Sequence, residues 1–457
     1  MPRRKKFVEK SGPTCDQILP SLNEDVTPFI CSWLPLHDVK NCRLVSRSWN
    51  ISAKPILKQK SVIKLECDFN TKEIARNAKF KREMTAFGRP LHHVDIDTWN
   101  IANLDLGSEP YLDNVHFFTK YLSVQRLGIS LGINSVWMPQ FLEQVLLYSA
   151  HTLVELDLHI FEDSLKEGDS RAGFCGGKIF NTVKKLTLTF ATLFWRIVPP
   201  RVPGVHYTSV PQILAAFPNI VELRVTGSLL PVLFVEGSPS PRFLSKLCVT
   251  NGMSGSQCNA LLNLTQPLKH LYIKSASDPR DPDWEDGVDI EVSQCLYEVL
   301  SKNRHTLEYL DLLLDKLRAG CVWKFPSFPN LKRLNFMEGL GAQKYYDCEV
   351  SFDGSDILNY SETFPNLQSL SFSPWDGNWT RCFESFFPEE ARVCKSVTNF
   401  EILDKVQPDN LADMFVKFAE GKIDARFGRI LKLFPNVDNR FMNELRSYLV
   451  KMGHICD

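Results

Sequence analysis

The chain has 457 residues, enough for two or three domains or for one elongated repeat domain. Its 53 basic and 53 acidic residues balance, which excludes a strong overall field toward nucleic acid or an anionic membrane, and 44% hydrophobic residues exclude a disordered chain. No segment reaches the roughly 20 apolar residues that a membrane span needs. The 13 cysteines include no Cys-x-x-Cys pair, which disfavours a disulfide framework or zinc knuckle and favours the reducing cytoplasm or nucleus.

Residues 1–17 begin with the basic run Arg3-Arg4-Lys5-Lys6 and contain no apolar run typical of a secretory signal. We therefore expect a basic, flexible tail here, with a nuclear-import patch as the open alternative.

Three short helices are predicted next. Thr27 can cap the first helix, Pro35 should end it, and Ser46 should cap a third helix that carries Trp49. A unit of about 35 residues cannot bury a stable core alone, so we expect it to lean on a partner.

The same segment closely resembles an F-box. The matching residues are Leu34-Pro35, Asp38-Val39 and Val45-Ser46-Arg47-Ser48-Trp49, whereas Asn23, Asp25 and Thr27 depart from the pattern of the family. The resemblance implies an F-box over residues 18–58 that docks to a Skp-type adaptor and, through it, to a cullin–RING scaffold. The residues expected to form this interface or the small core behind it are Leu22, Val26, Ile30, Leu34, Pro35, Val39, Val45 and Trp49.

The body of the chain repeats the pattern apolar-x-x-Leu-x-apolar, with successive copies beginning 24 to 39 residues apart. The copies begin at Leu91, Val124, Leu153, Val183, Ile220, Leu244, Leu268, Leu307, Leu331, Leu367 and Val397, and Val62 begins a degenerate copy. Self-similarity at this period is typical of a solenoid, and the pattern resembles leucine-rich repeats. The fold class is therefore predicted as α/β, with parallel strands on a concave face and helices on a convex face over residues 59–407.

Lead-ins to the strands repeat as well, as Phe-Pro-Asn or His-Thr, and helical runs at 141–148 and 292–301 precede the His-Thr lead-ins. The asparagine or cysteine usual three residues past such strands is missing, so an irregular solenoid is expected. Residues 408–457 alternate charged and apolar residues at helical spacing, and Arg440 replaces the strand leucine. This segment is predicted to be a helical cap on the stack.

Sequence motifs of catalysis are missing. The chain has no Gly-rich phosphate loop, no Gly-x-Ser-x-Gly and no paired zinc ligands, and His92-His93 has no ligand-type residue at metal-binding spacing. No catalytic residue, metal or cofactor is therefore predicted, although an enzyme hidden in the repeat body is a further alternative.

Protein recognition is the chemistry that the repeats favour. Strand alternation places two polar residues of each motif on the concave face, and Tyr and Arg are common in binding hot spots. The candidate substrate-binding residues on this face are His270, Tyr272, Tyr309, Asp311 and Arg333. An aromatic insertion at 374–387 adds Trp375 and Trp379, either as an exposed interface or folded into the core.

The resemblance implies the substrate-recognition subunit of an SCF-type ubiquitin ligase, with an unidentified protein substrate and no chemistry of its own. Two alternatives stay open: a non-degradative F-box scaffold, and a free-standing leucine-rich-repeat binding module. An extracellular repeat protein is disfavoured by the unpaired cysteines, despite Asn-x-Ser/Thr sites such as Asn263.

Overall fold

The computed structural model divides the chain into two compact units, Met1–Ile63 and Lys64–Asp457. The residues that it describes are 26–60, 63–66, 79, 82, 91–97, 122–131, 138–161, 177–191, 210–236, 241–250, 255–275, 288–314, 322–338, 350–354, 357–373, 381–390, 392–402, 429–437 and 443.

The first unit contains three helices, α1 (Val26–Trp33), α2 (Leu36–Cys42) and α3 (Arg47–Lys60). Pro35 separates α1 from α2 as predicted, and its carbonyl accepts the backbone N–H of Val39 at 3.0 Å. Ser46 caps α3, because its Oγ accepts the N–H of Trp49 at 3.2 Å. The predicted cap at Thr27 is wrong: Thr27 lies inside α1, and its side chain is buried.

The core of the first unit is small. Its buried residues are Cys31, Val39, Cys42 and Ala53, and the partly buried Leu34, Trp49, Ile56 and Leu57 pack against them. Lys60 ties the end of α3 to the end of α1, because its Nζ donates to the Leu34 carbonyl at 2.5 Å. Burial on this scale stabilises a fold only marginally.

The second unit is built on a 12-stranded sheet whose order follows the chain. Its strands are β1 (Ile63–Glu66), β2 (Leu91–Asp97), β3 (Leu122–Leu131), β4 (Glu155–Phe161), β5 (Lys185–Ala191), β6 (Glu222–Thr226), β7 (Lys246–Thr250), β8 (His270–Ser275), β9 (Tyr309–Leu314), β11 (Arg333–Glu338), β13 (Ser369–Ser373) and β14 (Asn399–Ile402). Every predicted motif, including the degenerate copy, supplies a strand. The pairings from β2 to β14 are parallel, which confirms the α/β class and the parallel sheet.

Two further strands, β10 (Trp323–Phe325) and β12 (Val350–Phe352), form a separate parallel pair that the sequence did not indicate. The helices between the strands are α4 (Met138–Ser149), α5 (Val210–Ala216), α6 (Leu230–Leu233), α7 (Gly255–Ala260), α8 (Val288–Asn303), α9 (Tyr360–Thr363) and α10 (Arg381–Phe386). Short 3₁₀ turns occupy Gly227–Leu229 and Leu261–Asn263. The helices α4 and α8 coincide with the two predicted helical runs.

The repeated leucines line up across the sheet because equivalent positions are in register. Leu310 of β9 pairs with Leu334 of β11, which in turn pairs with Leu370 of β13. These side chains are buried, with exposed fractions of 2% or less. The motif therefore forms a continuous apolar row, as the burial of each repeat against its neighbours requires.

Side-chain hydrogen bonds join successive lead-ins. The residue directly before a motif donates to a carbonyl of the preceding repeat in the pairs Thr152–Val124, Thr182–Ala150, Asn219–Asn181, Thr306–Leu268, Asn330–His305, Asn366–Pro329 and Asn436–Lys395. The distances lie between 2.6 and 3.0 Å. These hydrogen bonds lie before the strand in each of these repeats. They take the place of the bonds that an asparagine after the strand would make.

Aromatic rings fill the core near the last strands. Phe386 of α10 lies 5.0 Å from Phe336 and 5.7 Å from Phe372 between ring centroids. Phe387 is also fully buried, so this part of the aromatic insertion is folded inward. Within the predicted cap, residues 429–437 and 443 are described, and Phe434 stacks on Phe400 of β14 at 5.7 Å.

Candidate functional site

The candidate site lies on the face of the sheet that carries the residues directly before and after each buried strand leucine, called here the polar face. His270, Tyr309 and Arg333 stand side by side on β8, β9 and β11. Tyr272 and Asp311 are adjacent in the next row, two residues further along the same strands. Five predicted substrate-binding residues are therefore neighbours, because β10 leaves the sheet and β9 pairs directly with β11.

Three of these side chains, His270, Asp311 and Arg333, form a hydrogen-bonded group with Asn335, called here the Asp311 network. His270 Nε2 lies 2.7 Å from Asp311 Oδ2, and Asn335 Nδ2 donates to Asp311 Oδ1. Arg333 Nε donates to Asn335 Oδ1 at 3.2 Å. Both carboxylate oxygens of Asp311 thus have a hydrogen-bonding partner within the polar face.

The two tyrosines give this surface its apolar contact area. Tyr309 is 41% exposed, and its ring centroid lies 5.7 Å from that of His270. Tyr272 is half-buried, and burial raises the pKa of its hydroxyl, which stays protonated as a donor at neutral pH. A half-open pair of tyrosines beside hydrogen-bonding groups is the composition of a protein-binding hot spot.

A ladder of opposite charges occupies the polar face from β3 to β7. Glu155 lies 3.1 Å from Arg126 and 3.6 Å from Lys185, and Glu222 lies 3.7 Å from Lys185 and 3.2 Å from Lys246. Each carboxylate is therefore shared by two cations. Exposed ion pairs of this kind add little to the free energy of unfolding. Their charged groups are nevertheless engaged with one another.

The three-helix unit presents a second candidate surface, which is apolar. Phe29 and Trp33 stand one helical turn apart on α1 with ring centroids 6.0 Å apart, and Trp33 is 76% exposed. Leu44 and Val45, between α2 and α3, and Ile51 on α3 are also exposed, Leu44 to 85%. Large apolar side chains at such exposures make this a candidate interaction surface.

The predicted adaptor-binding residues divide between this surface and the small core. Val26, Pro35 and Val45 are exposed, whereas Val39 is fully buried. The half-buried members are Ile30, Leu34 and Trp49, and the last two pack against the core. Leu22, Trp375 and Trp379 lie outside the described residues.

The predicted set omitted several residues that the geometry singles out. Phe29 and Trp33 were recognisable from their spacing of four, which places both on one side of a helix. Asn335 was recognisable only as a polar-face residue, since its bond to Asp311 depends on β9 pairing with β11. No local sequence pattern predicts that β9 pairs with β11 although β10 lies between them in the chain.

Among the described residues, no group of three or more His, Cys, Asp or Glu side chains could hold a metal ion. None of the described helices is long and apolar enough to cross a membrane. Comparisons with models of protein families and with curated protein sequences find no match.

Proposed function

We propose that this protein is the substrate-recognition subunit of an SCF-type ubiquitin ligase. The three-helix unit is its F-box, and it docks to a Skp-type adaptor that connects to a cullin–RING scaffold. The parallel sheet and its helices form a leucine-rich-repeat solenoid that captures a protein substrate on the polar face. The F-box resemblance of residues 34–49 supplies the identity of the partner.

The exposure of large apolar side chains on the three-helix unit carries the proposal. Phe29, Trp33, Leu44, Val45 and Ile51 are all exposed, while four residues in the unit are fully packed as its core. An apolar surface on so small a unit is stabilised when a partner covers it.

The body supports the receptor role in a different way. Its strands pair in chain order and in register, as stacked repeats do, and its polar face combines tyrosines with a hydrogen-bonded network. The mechanism would be proximity: a substrate held on the polar face brings its lysines to the charged conjugating enzyme at high effective concentration.

Co-expression with a Skp-type adaptor and a cullin, followed by gel filtration, tests the proposal. The chain is expected to elute with both. Replacing Leu34 and Pro35 together by alanine should abolish co-elution, but Leu34 packs on the core, so its loss could act through folding. The exposed Val45→Glu variant separates the two effects, because it adds a charge to the surface without opening the core.

Phe243→Glu provides the matched control, because Phe243 is an exposed apolar residue of the second unit. It should co-elute as the unchanged protein does. A folded Val45→Glu variant that still binds the adaptor at full strength would contradict the proposal. If the unchanged chain elutes without the adaptor, the result favours the alternative of a free-standing leucine-rich-repeat binding module.

A further inference from the structure

The charged residues of the polar face divide into those that pair with one another and those whose donors stay open. From Arg126 to Lys246 the ladder engages the two carboxylates of its row, Glu155 and Glu222, with two cations each. Glu222, the carboxylate nearest to Arg224 on the same strand, is already shared by Lys185 and Lys246. Asp157 on β4 stands in the same row as Arg224, but two strands away across Thr187, and no ion pair joins the two among the described residues.

Within the described part of the chain, Arg224 is a guanidinium with open donors. It lies on β6, is exposed, and makes no ion pair or side-chain hydrogen bond with any part of the chain that the structure describes. Its neighbours in register are Thr187 on β5 and Cys248 on β7, and neither supplies a negative charge. A guanidinium has five N–H donors in a fork that fits carboxylate and phosphate groups.

Arg333 on β11 offers a second open fork. It is exposed, and only its Nε is engaged, by Asn335 Oδ1 at 3.2 Å, among the described contacts. Asp311, the nearest acid in the next row, has both oxygens occupied by His270 and Asn335. The Asp311 network therefore removes the acid that would otherwise compete for Arg333.

The surface between the two arginines carries two tyrosines. Tyr272 on β8 and Tyr309 on β9 stand on neighbouring strands, the first half-buried and the second exposed. Such rings provide contact area for an apolar or aromatic side chain at low cost in conformational entropy.

The spacing of the arginines limits what they can hold together. The sheet order from β6 to β11 is β6-β7-β8-β9-β11, and neighbouring strands lie about 4.8 Å apart, so the span is roughly 19 Å. An extended chain advances about 3.3 Å per residue, so this span corresponds to about six residues.

We propose that the polar face between β6 and β11 binds an extended acidic segment of a protein. One acidic side chain contacts Arg224, a second about six residues away contacts Arg333, and an apolar side chain between them packs on Tyr272 and Tyr309. The acidic group is a carboxylate or a phosphorylated hydroxyl, since both present the same oxygen pattern to a guanidinium. Identification of this segment as part of a ubiquitination substrate rests on the proposed function.

Retention of peptide libraries on the immobilised full chain tests the inference. Each library has two fixed glutamates about three, six or nine residues apart and uncharged residues at random elsewhere. Matching libraries contain phosphoserine or lysine at the fixed positions. Glutamate or phosphoserine at the spacing of about six should be retained roughly tenfold better than the other spacings, and lysine should not be retained.

Variants assign the retention to the two arginines. Arg224→Gln and Arg333→Gln should each lower it about tenfold, as loss of one charge-assisted contact predicts. Arg126→Gln removes the same charge from the same face, but within the paired ladder, and should change retention less than about twofold. Circular dichroism confirms that each variant is folded.

Three results would overturn the inference: no retained library, preference for lysine, or retention that ignores both spacing and the two arginines. Retention of glutamate and phosphoserine libraries relative to each other identifies the anionic group. The adaptor takes no part in the peptide assay, so the outcome of this assay is independent of the gel-filtration test. The acidic-segment inference and the proposed adaptor docking can therefore each be contradicted separately.

Discussion

The carboxylate of Asp311 makes its hydrogen bonds to side chains from two neighbouring strands. His270 contacts one oxygen and Asn335 donates to the other, so this carboxylate in the middle of the candidate site is already hydrogen-bonded within the chain. Asp95 on β2 shows a related dependence, because it lies over Gly128 of β3 and 3.4 Å from His93. At this scale, what a residue can do depends on what the adjacent repeat places beside it.

Gly128 can be tested by substitution. A Cβ at this position would lie 2.5 Å from Asp95 Oδ1, so Asp95 must rotate away from His93, and Gly128→Ala should lower the free energy of unfolding by no more than about 0.5 kcal/mol. In the background Asp95→Ala the same change should be neutral or stabilising, because alanine has less backbone freedom to lose than glycine. Denaturant unfolding of the four proteins measures the coupling. If Gly128→Ala changed the free energy of unfolding equally with and without the Asp95 side chain, that side chain would not be what opposes a Cβ at position 128.

Tyr360 predicts a dependence on alkaline pH. It is fully buried, its hydroxyl donates to the Phe386 carbonyl at 2.8 Å, and burial raises its pKa well above the usual value near 10. In the unfolded chain the hydroxyl ionises near pH 10, so its contribution to stability is present below that pH and is lost above it.

Tyr360→Phe should therefore cost about 1 kcal/mol at pH 8, where the hydrogen bond is lost and the Phe386 carbonyl is left without this donor. The gap in unfolding free energy between the two proteins should narrow as the pH rises past about 10. Denaturant unfolding across this range measures it. A gap that stays constant would contradict the assigned cause.

At the scale of elements, several strands are joined to the preceding repeat by their lead-in as well as by the sheet. Asn330 Nδ2 donates to the His305 carbonyl at 2.6 Å, and Asn366 makes the equivalent bond to Pro329. The phenylalanines of the same lead-ins stack, with Phe328 and Phe364 6.0 Å apart. The Phe-Pro-Asn sequence thus supplies one apolar and one polar contact between repeats.

Asn330→Ala should lower the free energy of unfolding by about 1 kcal/mol, the usual effect of losing one side-chain hydrogen bond to a backbone carbonyl. Asn259→Ala, at an exposed position of α7, is the control and should change it by less than about 0.5 kcal/mol. Both are read by denaturant unfolding. Indistinguishable effects would mean that the lead-in bond adds nothing to stability.

The recurring pattern apolar-x-x-Leu-x-apolar was enough to predict the strands and which of their residues are buried, since its alternation is typical of a strand with one buried face. It could not predict β10 and β12, whose sequences Trp-Lys-Phe and Val-Ser-Phe are too short to show a period. Thr27 was misread because a threonine before a proline also fits the inside of a first helical turn. The Asp311 network needed the register of β9 on β11, which is a long-range property.

At the scale of the molecule, the two units differ in how their apolar residues are used. The second unit buries a continuous row of leucines and an aromatic cluster around Phe386. Among the described residues of the first unit, four apolar ones are buried, whereas Trp33, Leu44 and Val45 are exposed. This contrast is the physical basis for assigning adaptor binding to the first unit and substrate capture to the second.

Hydrogen exchange of the full chain, with and without a saturating Skp-type adaptor, tests adaptor docking most directly. Backbone amides of α1 and of residues 44–51 should exchange markedly more slowly in the complex, whereas those of β6 to β11 should be unchanged. Val45→Glu should abolish the protection, and Phe243→Glu should retain it. Protection confined to the sheet, or no protection at all, would contradict the account.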